Sequence, residues 1–452
     1  MLQDHLDRDQ LASLFSGGLP DCDERVVRAH LFDCPACEER IGEVLTSHQD
    51  VPQAFEGGDD GFGLSALGAT EAGAHLRALE SGLEAERQDA GRLFALLEAA
   101  GTPSLAELLQ LDPGMPTWGF FERLLAEARR LLTTRPHRTR FLLKLAVGLA
   151  AHLDPLRYGA PQVETAKVRS WSHLGNIERV LGDFEAAEKA FRRAEFHYWQ
   201  SDLDPLDEAT LLELKAVLRR HQSRFDEALE LMEGAISICG EVNERHRQGR
   251  AELGRAVIHL YSGKPELAAA GFGACLQRID PAVEPQLPAL CLINQILCLT
   301  EADQGEEAEL LLPEARRQTE AVLLDESDHL RLRMRWIEAR VDLSLGRLDP
   351  AESALRALQE RFLADAMPVD AAFVTLDLAA VLVQAGRTVE TRELVEEMIP
   401  VFQSLQIQRE ALAALIVLQQ AAQTERLTLA MVREAAASMR MAAAGPGPQD
   451  KP

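Results

Sequence analysis

The stretch Trp171-Ser-His-Leu174-Gly175-Asn-Ile-Glu-Arg-Val-Leu-Gly182-Asp-Phe184-Glu-Ala-Ala187-Glu-Lys-Ala-Phe191-Arg-Arg-Ala194 decides the fold. Apolar residues recur at helical spacing on both sides of Gly182, which predicts two antiparallel helices joined by a tight turn. Small residues let the two helices approach. Gly175 is expected to face Ala187, and Ala194 to pack on the next unit. The same grammar then returns. Ala216, Phe225, Ala228, Met232 and Ala235 form a second copy. Ala256, Gly263, Ala268, Phe272 and Cys275 form a third. Ile296, Gly305, Ala308, Leu312 and Ala315 form a fourth, with a shortened turn. Ala339, Gly346, Leu348, Ala351, Leu355 and Leu358 form a fifth, and Ala379, Gly386, Thr391, Val395 and Met398 a degenerate sixth. The first-helix positions 175, 216, 256, 296, 339 and 379 lie 40 to 43 residues apart. Such a period means stacked helix pairs that share one continuous core.

This pattern resembles the tetratricopeptide repeat. The standard period is about 34 residues, and longer helices account for the excess. The variant is similar to the repeat domains of bacterial transcription regulators and peptide receptors. A weaker pair precedes it, over 118–132 and 139–153, and a closing pair follows, over 409–423 and 427–439. The resemblance implies a right-handed superhelix with a concave groove that holds peptides, helices or protein surfaces. Asn176, Arg219, His259 and Arg340 are groove candidates, expected to be exposed near the starts of the first helices. Cys275, Cys291 and Cys298 fall on apolar helical positions and read as core residues. Trp171 and Trp336 read as packing residues.

Composition agrees. Apolar residues make up 46 % of the 452-residue chain, carried by Leu and Ala with few aromatics, which favours an all-α fold. The net charge of −25 opposes nucleic acid and anionic membranes and favours basic protein partners. No signal peptide and no run of about 18 apolar residues is visible, so a cytoplasmic protein is expected. Seven scattered cysteines argue against a disulfide scaffold. No nucleotide-binding loop, metalloprotease, serine-hydrolase or dinucleotide fingerprint occurs, so no enzyme is expected.

The N-terminus carries a separate signal. His30-Leu-Phe-Asp-Cys34-Pro-Ala-Cys37 has the pattern H-x3-C-x2-C. A helix places His30 and Cys34 on one face, and the Cys-Pro-Ala-Cys turn brings Cys37 to the same point. Zinc takes four such ligands in a tetrahedron, and His5 is the candidate for the fourth, with Asp4 its rival. A Cys-x-x-Cys redox pair is the alternative. The segment resembles the zinc-finger anti-sigma family through His5-Leu6, Leu11 to Leu19 with Gly17-Gly18, and Val27 to Ile41. The resemblance implies a structural Zn2+ held by His5, His30, Cys34 and Cys37. Cys22 sits nearby, between Asp21 and Asp23, which blunt a thiol.

Residues 1–45 are thus expected to form a small zinc-binding helical domain, 46–69 a flexible linker, 70–115 a connecting helical segment, 116–440 the repeats and 441–452 a disordered tail. The connecting helix either wraps a sigma factor, as in several anti-sigma domains, or merely joins the two parts. Residues 1–60 hold fourteen Asp and Glu against four Arg and no Lys, which suits the basic surface of a sigma factor. The basic run Arg129, Arg130, Arg135, His137, Arg138, Arg140 and Lys144 is a solvated turn, or a dock for a phosphate, an acidic partner or the acidic N-terminal domain. The functional expectation is an anti-sigma-like regulator whose repeats bind a peptide or protein signal. The alternative is a tetratricopeptide scaffold with a structural zinc domain and no sigma partner.

Overall fold

A computed structural model describes residues 66–132, 134–201, 204–322, 328–365, 367–404 and 428–443. Every regular element among them is a helix. In chain order these are α1 (Ala66–Ala100), α2 (Leu105–Leu111), α3 (Trp118–Leu131), α4 (Pro136–Ala150), α5 (Pro155–Tyr158), α6 (Ala160–Val180), α7 (Phe184–Tyr198), α8 (Pro205–His221) and α9 (Phe225–Glu241). There follow α10 (Arg245–Tyr261), α11 (Pro265–Cys275), α12 (Leu287–Glu301), α13 (Gly305–Val322), α14 (Asp328–Ser344), α15 (Leu348–Ala364), α16 (Pro368–Gln384), α17 (Thr388–Ser404) and α18 (Leu429–Ala443). The chain divides into two compact units, 1–84 and 85–452, and the account below concerns the second.

The quoted stretch forms the later part of α6 and most of α7, and five more pairs follow: α8/α9, α10/α11, α12/α13, α14/α15 and α16/α17. Each pair turns on one residue with positive φ: Gly182, Ser223, Gly263, Asp303, Gly346 and Gly386. Each of these lies seven residues after the corresponding first-helix position 175, 216, 256, 296, 339 or 379. The next amide bonds back five residues, as from Asp183 to the Glu178 carbonyl (2.9 Å) and from Gln304 to the Leu299 carbonyl (2.9 Å), the helix-ending pattern that a left-handed residue permits. The fourth turn is therefore not shortened. Asp303 holds the left-handed position (φ 57°) that glycine holds elsewhere, and Gly305 is instead the first residue of α13.

Core positions repeat with the turns. Phe191, Met232, Phe272, Leu312, Leu355 and Val395 are all buried, each sixteen residues after its first-helix position. Ala187, Ala228, Ala268, Ala308, Ala351 and Thr391, four residues earlier, are buried too. Gly175 makes room for a ring: a Cβ there would meet Phe191 at 2.9 Å. Burying a side chain of this size is worth about 2–3 kcal/mol, so each pair depends on its neighbour to cover the large residue.

The pair expected before Trp171 is α3/α4. Gly119 of α3 sits against the backbone of α1 at Glu86 and Arg87. Glu86 is buried and accepts from the Gly119 amide (3.3 Å) and the Tyr158 hydroxyl (2.9 Å), with Arg157 as its ionic partner. Of the closing pair, 409–423 lies outside the described residues and the second helix is α18, which packs on α16. Arg433 of α18 donates to both carboxylate oxygens of Asp303 (3.0 and 2.7 Å). This ion pair holds the Asp303 carboxyl below the usual carboxylate range. The helix α18 runs to Ala443, three residues into the segment expected as a tail. No helix among the described residues is long and apolar enough to cross a membrane.

Candidate functional site: the inner face of the repeats

First helices touch one another from pair to pair: α6 with α8, α8 with α10, α12 with α14, and α14 with α16. Among the described residues no two second helices meet as extensively. The first helices therefore line the inner side of the stack, and their last turns bring side chains from successive repeats side by side.

The four groove candidates lie in the C-terminal parts of these helices and not at the helix starts. Their side chains are also less exposed than the sequence suggested. Asn176 is buried, its Oδ1 accepting from the Arg179 guanidinium. Arg219 is buried and serves the stack: it binds Glu188 of α7, pairs with Glu227 of α9 (3.2 Å) and donates to Gln222 (2.8 Å). His259 is half-buried, with burial lowering its pKa and its Nδ1 lacking a partner. Arg340 lies between Asp377 (3.2 Å) and Glu301 (3.4 Å), and Asp377 also accepts from the Trp336 indole (2.6 Å). The candidates are thus spread along the stack and form no single site.

Arg340 lines a cavity. It holds about 460 Å³ and lies among α12, α14, α16 and α18. Thr300, Glu301, Asp303, Asp377 and Arg433 supply the polar part of the wall, and Leu343, Leu376 and Leu429 belong to the apolar part. The two arginines and three carboxylates are mutually paired, so the wall offers hydrogen bonds with little net field. An apolar cavity of this size with a few fixed polar groups suits a side chain or a short peptide segment.

A second polar cluster was not anticipated. Arg179 of α6 and Arg220 of α8 converge on His221, beside Asn176 and Tyr261. Its trace in the sequence is that Arg179 and Arg220 each follow the first-helix position by four residues.

Three members of the basic run at 129–144 are engaged. Arg130 pairs with Glu127, Arg138 with Glu98 and the Gly101 carbonyl, and Arg140 with Glu178, while Lys144 is exposed. Cys239, Cys275, Cys291 and Cys298 are buried thiols, Cys275 and Cys291 with sulfurs 3.4 Å apart. Trp171 and Trp336 pack against the core, the latter with the hydrogen bond already noted. His5, His30, Cys34 and Cys37, with Asp4 and Cys22, lie outside the described residues, as do the domain 1–45 and most of the expected linker. Among the described residues no cluster of three or more His, Cys, Asp or Glu could hold a metal.

No known family model matches the chain, and no curated protein matches it. Among solved structures it is similar to a Rap protein complexed with competence and sporulation factor, with a TM-score of 0.51 and 12 % identity. The match covers 70 % of this chain and 85 % of that one. Together with the repeated turns and core positions, it shows the fold to be an all-α tetratricopeptide-like helical repeat.

Proposed function

We propose that this chain is a regulatory binding protein whose inner repeat face takes a peptide or protein ligand. The observation that carries the reading is the 460 Å³ cavity among α12, α14, α16 and α18, apolar in part and edged by Arg340, Asp377 and Glu301. The similar Rap protein was solved with a factor bound, which supports a ligand for this fold. No catalytic group is invoked.

Within that reading the N-terminal segment is the output domain. Two imidazoles and two thiolates, from His5, His30, Cys34 and Cys37, suit tetrahedral zinc, and a closed four-ligand set supplies folding rather than reactivity. The zinc-organised helices would sequester a sigma factor, and ligand on the repeats would shift that equilibrium. The test is metal analysis and affinity capture of the full chain, purified under reducing conditions, against each sigma factor of its host. About one zinc per chain is expected, with capture lost in His30→Ala and Cys34→Ser. Zinc without any sigma partner leaves the scaffold reading; absence of zinc removes the domain assignment altogether.

A further inference from the structure

Two guanidinium groups on the inner face stand without a counter-charge. Arg179 donates through Nε and Nη2 to Asn176 Oδ1 (3.1 and 2.9 Å) and through Nη1 to His221 Nε2 (3.1 Å). Arg220 donates through Nη2 to the same Nε2 (2.8 Å), and its guanidinium lies 4.5 Å from the centre of the Tyr261 ring. Among the described residues neither arginine has a carboxylate within 4.0 Å. Other arginines near the ends of the first helices differ: Arg219 has Glu188 and Glu227, and Arg340 has Asp377 and Glu301. In a chain with 72 acidic residues, a pair left uncompensated is not for want of carboxylates.

His221 makes the deficit larger. An Nε2 that accepts two hydrogen bonds carries no proton, so the proton is on Nδ1. Nδ1 is buried and has no partner. The site therefore combines two cations with an unmet N–H donor, and holds no acceptor charge of its own. Each group disfavours the others' charge. Burial, then Arg220, lowers Arg179 to about 10. Burial, then the two arginines, pushes His221 down to about 3. Half-buried like charges destabilise a fold unless a partner neutralises them, and such unfavourable clusters are candidates for binding sites.

We infer that Arg179, Arg220 and His221 form a carboxylate-binding site on the inner repeat face, taking the C-terminal or an acidic side-chain carboxylate of a peptide ligand. Two guanidinium forks can each engage a carboxylate oxygen, and Asn176 fixes the plane of one fork. A monoanion suits the site better than a phosphate dianion, because the surrounding chain, at −25, opposes the second charge. This inference rests on the reading of the groove as a peptide site.

The test uses the full chain and a degenerate nonapeptide library, made once with free C-termini and once amidated, with affinity selection read by mass spectrometry. Free-acid peptides are expected to be retained about tenfold or more over their amides, or acidic members of the amidated library over the rest, as a charge-assisted pair predicts. The first preference identifies the terminal carboxylate, the second an Asp or Glu side chain. Arg179→Gln and Arg220→Gln should each bring the ratio towards one with helical content unchanged, and Arg220→Lys should retain part of it. If either variant fails to fold, acetate competition against the wild-type chain reads the same site. Peptides retained without any carboxylate preference would overturn the carboxylate site and leave the groove reading intact. No retention of either library would overturn both. Orthophosphate competing better than acetate at equal ionic strength would overturn the choice of ligand.

Discussion

Replacing Gly119 by alanine sets two effects of known sign against each other. Alanine is the better helix former, by about 1 kcal/mol in a helix interior. Gly119 lies in the first turn of α3, where that gain is smaller. Opposing it, an added Cβ would lie 2.5 Å from the Glu86 carbonyl carbon and 2.6 Å from the Arg87 nitrogen. These are backbone atoms, so α1 or α3 must move. Overpacking of this kind costs about 1–3 kcal/mol. Movement also strains the bond from the Gly119 amide to the buried Glu86 carboxylate, a charge-assisted bond worth about 1.5–3 kcal/mol. The net expectation is a loss of about 2 kcal/mol, near the middle of those ranges. Gly91 of α1 is the internal control: nothing lies within 4 Å of its added Cβ, so Gly91→Ala should stabilise by about 0.5–1 kcal/mol. Urea unfolding followed by helical circular dichroism, with amide exchange over α1 and α3, reads both variants. A Gly119→Ala protein as stable as the parent, or more so, would refute the close approach of α3 to α1.

Further outcomes follow from charge and protonation. Burial pushes His173 down to about 4 and His221 to about 3, so the folded chain refuses protons that the unfolded chain accepts below about pH 6.5. Their contribution is complete above that pH and is lost as pH falls through about 4 and then about 3; His173→Gln and His221→Gln should each flatten the denaturant-midpoint profile in that window. Asp377→Asn removes the nearer carboxylate of Arg340 and leaves it with Glu301 alone, so a loss of roughly 1–3 kcal/mol is expected, largest in amide exchange of α14 and α16. The four buried thiols should react with an aromatic disulfide reagent only as fast as the repeats open, and a burst of more than the three cysteines at 22, 34 and 37 would contradict their burial.

The period, the turns and the large core residues were legible because each arises from local chemistry that repeats. A left-handed residue must end the first helix, and a large apolar residue must fill the pair, so the same spacing returns six times. Asp303 shows the limit. Its left-handed φ is one that Asp tolerates, and its carboxylate is held by Arg433, 130 residues away in sequence, so the neighbouring Gly305 drew the turn assignment to itself. The binding residues were harder still. Arg219 and Arg340 look like exposed arginines, but their carboxylate partners lie on neighbouring helices. Which arginine has a partner is set by packing of one repeat on the next. The pairing of Arg179 and Arg220 through His221 could have been suspected only by aligning the repeats and reading each column for charge.

The reach of Arg433 back to Asp303 has a mechanical consequence. A stack of pairs, each touching only its neighbours, would be expected to peel from its end one pair at a time. Here the last helix grips the turn between α12 and α13, two pairs behind α16, so the end of the stack is tied to its middle. Pulled from the C-terminus, the chain should hold until α18 releases and then yield α14 to α17 in quick succession, while α3 to α9 unwind later and separately. The closing helix, by its apolar packing on α16 and its reach to Asp303, thereby joins the last repeats into one mechanical unit.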